Sequence, residues 1–169
     1  MKTTYTALCL IFLMALSSCS LNHVENGGKL KLKKYTKTAK KLVKKIETKE
    51  LASIEKKAKK LVELSKPILR KFSQGHPECS EYLNATLQAS DQMLTMSLDT
   101  IERDYHSDGA LPKASIKCYH AKDLLVHPAT VIVLSRQEDS MQIRAEMKAE
   151  LLEVLEHMKD VKRHLEGQF

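Results

Sequence analysis

Apolar residues recur every three or four positions through most of this chain, and that period constrains its fold more than any other feature. It is clearest near the carboxyl terminus, where the apolar positions are Ile143, Met147, Leu151, Val154, Met158, Val161 and Leu165. The residues between them are mainly Glu, Lys and Arg, so the segment predicts one helix with a single buried stripe. Asp139 or Ser140 is the expected N-cap.

The same spacing predicts further helices upstream. One runs from Lys29 to Phe72 and is expected to bend at Pro67, because proline removes a backbone hydrogen-bond donor. Its inward-facing positions are Tyr35, Ala39, Leu42, Ile46, Ile54, Ala58, Leu61, Ser65, Ile68 and Phe72. A second helix is predicted over residues 83–105, after a loop that contains glycine and proline.

A shorter helix is predicted from Ile116 to Val126, with Pro128 interrupting the pattern. The segment Thr130–Val133 is β-branched and could form a strand by propensity or a buried helical turn. We expect the helical turn, because a lone strand would have no partner.

Composition agrees with the periodicity. The 169 residues include five glycines, four prolines and no tryptophan, and they are rich in Lys, Leu, Glu and Ala, which favour helices over sheets. We therefore predict an all-α fold: an up-and-down bundle of about four helices, with a long basic N-terminal helix. Residues 29–169 suffice for one domain with its own core.

The first residues have the pattern of an export signal. Lys2 is followed by an apolar stretch over residues 7–16, which is too short to span a bilayer, since spanning takes roughly 20 apolar residues. The motif Leu16-Ser17-Ser18-Cys19 resembles the lipobox of bacterial lipoproteins. The resemblance implies removal of a signal peptide, residues 1–18, and attachment of palmitate-type acyl chains at Cys19.

The lipobox resemblance also implies a location. Residues 19–28 are then a lipidated, flexible tether that holds the folded domain near the membrane. The protein is expected in the cell envelope, lipid-anchored and facing the periplasm. The outer membrane is favoured over the inner one, because Ser20 stands where an inner-membrane retention aspartate would be.

Charge is distributed unevenly along the chain. Residues 29–71 contain seventeen Lys or Arg against four Glu, whereas residues 72–169 contain ten against sixteen acidic residues. A basic helix beside a lipid anchor attracts anionic head groups, and the lysines expected to bind an anionic lipid or envelope protein are Lys33, Lys34, Lys37, Lys40, Lys41, Lys44, Lys45, Lys56, Lys57, Lys59 and Lys60. The alternative is that these lysines only solvate the helix or pair with the acidic half.

Cys79 and Cys118 are the two thiols left after the leader and the anchor are set aside. In an oxidising compartment they predict one disulfide bond. The alternative is a tetrahedral metal site formed by His76, Cys79, Cys118 and His120. Export argues against that alternative, because zinc requires reduced thiolates.

We expect a non-enzymatic, membrane-anchored lipoprotein that acts as an interaction or structural component of the envelope, without a cofactor. No convergent catalytic residues are identified, and an envelope location argues against nucleic acid as a partner. The alternative function is a metal- or haem-binding helical bundle of the periplasm. The sequence predicts no oligomeric state.

Overall fold

The computed structural model describes residues 29–166, and within that range the protein is all-α, without a strand. The helices are α1 (residues 29–43), α2 (Leu51–Gly75), α3 (Ser80–Met93), α4 (Leu98–Ile101), α5 (Ile116–Leu134) and α6 (Met141–Glu166). A 3₁₀ turn, Pro77–Cys79, precedes α3, and a π-helical turn, Glu102–His106, follows α4. The predicted signal peptide, residues 1–18, and tether, residues 19–28, lie outside the described residues.

Helix α5 lies at the centre of the bundle. It packs against α2, α3 and α6, and residues 121–132 are all buried. A helix enclosed in this way must present apolar groups around its whole circumference. The segment Thr130–Val133 supplies part of that surface, and the prediction that it forms a helical turn is confirmed.

Pro128 does not interrupt α5, although the sequence predicted that it would. Proline has no N–H group, so the carbonyl of Leu124, four residues earlier, loses its usual helical donor. The hydroxyl of Tyr35 donates to that carbonyl at 2.5 Å. Helix α1 therefore supplies the hydrogen bond that proline removes from α5.

Pro67 does not break the helix, because α2 continues through that residue. A proline in a helix interior costs about 3 kcal/mol, because it removes one backbone hydrogen bond and its ring clashes with the preceding turn. Burial of Ile68, Leu69 and Phe72 on the same helix contributes about 1.5–3 kcal/mol for each side chain. The free energy gained by burying this face therefore exceeds the cost of the proline.

The actual break in the basic segment lies at residues 44–50, between α1 and α2. There the guanidinium of Arg144, from α6, donates to the carbonyl oxygens of Ile46 at 2.5 Å and Lys49 at 2.9 Å. Arg144, nearly a hundred positions away in sequence, thus supplies hydrogen-bond donors to two carbonyl groups of the turn.

The helix predicted over residues 83–105 is divided by a turn at residues 94–97. The side chain of Ser97 accepts from the amide of Thr100 at 3.2 Å and so caps α4. The final helix agrees with its prediction, and the amide of Ile143 donates to the Ser140 hydroxyl at 3.2 Å. Ser140 is therefore its capping side chain.

The predicted pairing of Cys79 with Cys118 is present at disulfide-bond distance. The two sulfur atoms are 2.05 Å apart and the Cα atoms 5.4 Å apart. The link joins the turn before α3 to the first turns of α5. In the chain-entropy description, closing a loop of this length contributes roughly 4 kcal/mol.

Candidate functional sites

The central helix α5 carries three ionisable residues that are almost wholly buried. Lys122 and Asp123 have no exposed surface, and His127 exposes 2% of its surface. Because neighbouring helices enclose this part of α5, the three side chains meet other protein groups rather than water. Burying such groups is costly unless they are paired, hydrogen-bonded or bound to a metal.

Lys122 has a complete set of partners. Its ammonium donates to the carbonyl oxygens of Tyr105 and His106 and, at 2.9 Å, to the carboxylate of Asp108. Asp108 adopts the left-handed φ of 59° that short polar residues tolerate. The end of the π-helical segment and the turn after it therefore bring three acceptors to one buried ammonium.

Asp123 is partnered much less well. Among residues 29–166, neither of its carboxylate oxygens has a partner in good hydrogen-bonding geometry, although the side chains of Lys122 and Tyr119 are close enough to lower its pKa. Oδ1 lies 3.1 Å from the Lys122 ammonium, and Oδ2 lies 3.3 Å from Nε2 of His157. Burial raises the pKa of Asp123 to about 7, and the charge of Lys122 opposes that rise.

His127 uses one of its two ring nitrogens. Nδ1 lies 2.7 Å from Oε2 of Glu150, whereas Nε2 is buried without a hydrogen-bond partner in the described part of the chain. The nearest acidic oxygen to Nε2 is Oε2 of Glu153, at 3.5 Å. Burial lowers the pKa of His127 to about 4, so the ring is neutral at pH 7.

Three further residues complete the cluster. Nδ1 of His157 lies 2.8 Å from Nδ1 of His120, and the His157 ring stacks on that of His127 at 5.1 Å. His106 contacts the His127 ring at 4.7 Å. Burial, followed by the neighbouring histidines, lowers the pKa of His157 to about 4. Burial, followed by the charge of Glu153, raises the pKa of Glu150 to about 8.

Two sets of these residues could hold a metal ion. Asp123, His127 and His157 form one, and His106, His127 and Glu150 form the other; in each, the ligand atoms lie within 4.8 Å of one another. Neutral imidazole nitrogen and carboxylate oxygen are typical ligands of zinc and other divalent transition metals. The chemistry that the cluster can perform is thus cation binding.

The four residues of the metal site considered from the sequence do not assemble into one. Cys79 and Cys118 are at disulfide distance, so their sulfurs are not thiolate ligands. His76 packs against the rings of Phe72 and His164. Of the four, only His120 lies in the cluster on α5 and α6.

Sequence reasoning missed the pairs that matter, although a signal exists. Asp123 and His127 are four residues apart on α5, and Glu153 and His157 are four residues apart on α6. Residues at that spacing share a helix face. The pattern Asp-x-x-x-His followed by Glu-x-x-x-His would have identified both faces, but not their contact.

A second candidate site is the basic surface formed by α1 and α2. All eleven lysines predicted to bind an anionic surface are exposed. One groove, of about 580 Å³, has eight lysines in its lining: Lys34, Lys37, Lys41, Lys44, Lys45, Lys49, Lys57 and Lys60. An adjoining groove of about 810 Å³, between α1 and α6, has lysines around the apolar side chains of Leu32, Leu155 and Met158.

These lysines are mostly not neutralised by the acidic half of the chain. Of the eleven, Lys59 pairs with Glu55 at 2.7 Å, and within residues 29–166 the other ten form no ion pair. Acidic residues nearby are engaged elsewhere, as Glu47 is with Lys148 at 2.6 Å. The two grooves therefore present a concentrated positive charge to solvent.

No helix within residues 29–166 has both the length and the apolar character needed to cross a membrane. Comparison of the chain with known protein families, with curated proteins and with solved structures found no match.

Proposed function

We propose that this protein is a non-enzymatic envelope lipoprotein, anchored through Cys19, whose basic surface docks on anionic lipid head groups. The observation that carries the proposal is the convergence of exposed lysines on two adjoining grooves. The lysines of the predicted set that line these grooves form no ion pair within residues 29–166: Lys33, Lys34, Lys37, Lys40, Lys41, Lys44, Lys45, Lys57 and Lys60. In the proposed arrangement the helices form an up-and-down bundle with the basic α1 on its outside.

The energetics support docking as a second contact beside the lipid anchor. Each basic residue near an anionic membrane contributes about 1 kcal/mol, so a few lysines from one groove supply a useful affinity. The groove between α1 and α6 adds an apolar floor, to which Leu32, Leu155 and Met158 contribute. A surface of this kind suits an amphiphile with an anionic head group better than a purely polar ligand.

The test measures vesicle binding without the anchor. The chain beginning at Ser20 lacks Cys19 and retains residues 29–166. We expect it to sediment with vesicles that contain phosphatidylglycerol and not with phosphatidylcholine alone, and to dissociate as salt screens the charges. Equal binding to both vesicle types, or binding to neither, would contradict the proposal.

A matched pair of variants locates the contact. Lys37 and Lys41 line both grooves, so Lys37→Glu/Lys41→Glu should abolish binding to anionic vesicles. Arg70 and Lys113 are exposed, line neither groove and are not among the eleven predicted lysines, so Arg70→Glu/Lys113→Glu makes the same change in net charge and should reduce binding less. The same loss in both variants would show that only net charge matters.

The anchor has its own measurement. Mass spectrometry of the mature amino terminus should find an acylated Cys19, and Cys19→Ala should leave the protein unlipidated. An amino terminus without acyl chains would refute the lipoprotein part of the proposal and leave the vesicle experiment unaffected.

A further inference from the structure

The interface of α5 and α6 places two helix faces of matching chemistry against each other. Asp123 and His127 lie one turn apart on α5, and Glu153 and His157 lie one turn apart on α6. We propose that Asp123, His127 and His157, with Glu153 on the solvent side, bind one divalent transition-metal ion of the zinc class.

The ligand atoms of Asp123, His127 and His157 lie within 4.8 Å of one another, and two of the distances in the proposed site match those of a tetrahedral ion. Ligand atoms at 2.0–2.1 Å from tetrahedral zinc lie about 3.3–3.4 Å from each other. Asp123 Oδ2 is 3.3 Å from His157 Nε2, and His127 Nε2 is 3.5 Å from Glu153 Oε2. Two edges of the required tetrahedron, each joining α5 to α6, are thus already close to their final length.

Unused hydrogen-bonding capacity points to the same position. Oδ1 of Asp123 is ion-paired with Lys122 at 3.1 Å, whereas Oδ2 of Asp123 and Nε2 of His127 are buried outside hydrogen-bonding geometry with any group in residues 29–166. Buried polar atoms are nearly always partnered, so two such atoms one turn apart on one helix point to a bound group. A cation is the partner that accepts lone pairs from carboxylate and imidazole together.

The groups behind the two histidines have the geometry of supporting residues. A metal-bound imidazole usually donates its other N–H to a carboxylate or a similar acceptor, which orients the ring. Nδ1 of His127 faces the Glu150 carboxylate at 2.7 Å, and Nδ1 of His157 faces that of His120 at 2.8 Å. In both rings the contact occupies Nδ1 and leaves Nε2 for the ion.

The other candidate set is His106, His127 and Glu150. We assign His106 and Glu150 to positioning the ligands of the proposed site and not to a second metal site. Nε2 of His106 lies 3.0 Å from the Thr130 hydroxyl, and Glu150 is already in contact with His127. His106 and Glu150 therefore have hydrogen-bond partners without an ion, whereas Oδ2 of Asp123 does not.

Charge is balanced around the proposed ion. The carboxylates of Asp123 and Glu153 offset the two positive charges of the metal. The ammonium of Lys122 does not block the site, because it is held by Asp108 and faces Oδ1 of Asp123, whereas Oδ2 faces His157.

Access comes from the α6 side. The Glu153 side chain is 62% exposed, whereas the His127 side chain is 2% exposed. An ion can therefore enter past Glu153 and bind to ligands that are otherwise shielded from water. Asp123 and His127 are buried, the His157 side chain is 14% exposed, and Glu153 supplies the fourth ligand from the solvent side.

The experiment uses the full chain in mild detergent, freed of metal by a chelator. We expect one equivalent of Zn²⁺ in a calorimetric titration, and Co²⁺ to give the intense visible absorption of a tetrahedral site. Zinc binding in His157→Ala should fall more than 100-fold, and Glu150→Gln, which alters only a supporting contact, should weaken it about 10–100-fold. Asp123→Asn keeps the side-chain shape and should abolish binding even where His157→Ala folds poorly.

His164→Ala is the matched control, because it removes an exposed histidine from the same helix, two turns beyond His157. It should bind zinc as the unaltered chain does. Equal affinity in His157→Ala and the unaltered chain, loss of binding in His164→Ala, or a weak octahedral Co²⁺ spectrum would overturn the proposal. None of these variants touches the lysine surface, so the vesicle and zinc experiments fail independently.

Discussion

Lysine occupies opposite environments in α1 and in α5. The lysines of α1 are exposed, and most of them have no acidic partner within residues 29–166, whereas Lys122 is fully buried among two carbonyl oxygens and a carboxylate. Water can solvate an unpaired charge at the surface, but nothing replaces a missing partner in the core. An unpartnered polar atom is therefore informative in α5 and ordinary in α1, where only the clustering of charge carries meaning.

The largest effect is expected when one lysine is replaced in each region. Lys122→Met should lower the free energy of unfolding by about 3–5 kcal/mol, because it leaves buried acceptors and the Asp123 carboxylate without their cation. Lys41→Met, the same change at the surface, should alter it by no more than about 0.5 kcal/mol. Urea denaturation with the disulfide intact measures both, and similar losses would erase the distinction between the two environments.

A second test asks whether the carboxylate of Asp123 binds a metal ion. At a free Zn²⁺ concentration of 100 times its Kd, the unaltered chain should gain about 2.7 kcal/mol in stability, because the ion binds the folded state alone. Asp123→Asn should gain nothing. Thermal unfolding with and without zinc measures both changes in stability. An equal gain in both proteins would show that the ion binds at a site that does not include Asp123.

A third test concerns the hydrogen bond that joins the two regions. Tyr35→Phe leaves the Leu124 carbonyl buried without a donor and should cost about 1–3 kcal/mol. Pro128→Ala restores a backbone N–H that can donate to the same carbonyl, so the cost of Tyr35→Phe should shrink in that background. A double-mutant cycle gives the coupling, and equal costs in both backgrounds would refute this account of Pro128.

Much of the fold follows from local pattern, and its breaks do not. The period in residues 143–165 reports directly which face is buried, so α6 could be predicted from sequence. The break at residues 44–50 depends on Arg144, and the continuity of α5 depends on Tyr35. Both are contacts between distant parts of the chain, which periodicity does not encode.

The two candidate sites differ in the same way. The lysines of the basic surface are neighbours in sequence, so their exposure could be predicted from one helix face at a time. In the core cluster, Asp123 and His157 lie on different helices, and the carboxylates of α6 resembled an ordinary solvated surface. Only the packing of α6 on α5 shows that Glu150 and Glu153 face histidines.

The smallest effect is expected from a single lysine of the basic surface, and it separates binding from stability. Lys41→Ala should weaken binding to anionic vesicles about fivefold, since one basic residue contributes about 1 kcal/mol, while the free energy of unfolding stays within about 0.5 kcal/mol. Lys113→Ala, outside both grooves, should leave both quantities unchanged. If Lys41→Ala weakened binding only by destabilising the fold, the loss would follow the unfolded fraction and vanish where the variant is fully folded. We expect the loss to persist in the fully folded variant, because the exposed side chain of Lys41 contributes charge and no buried contact.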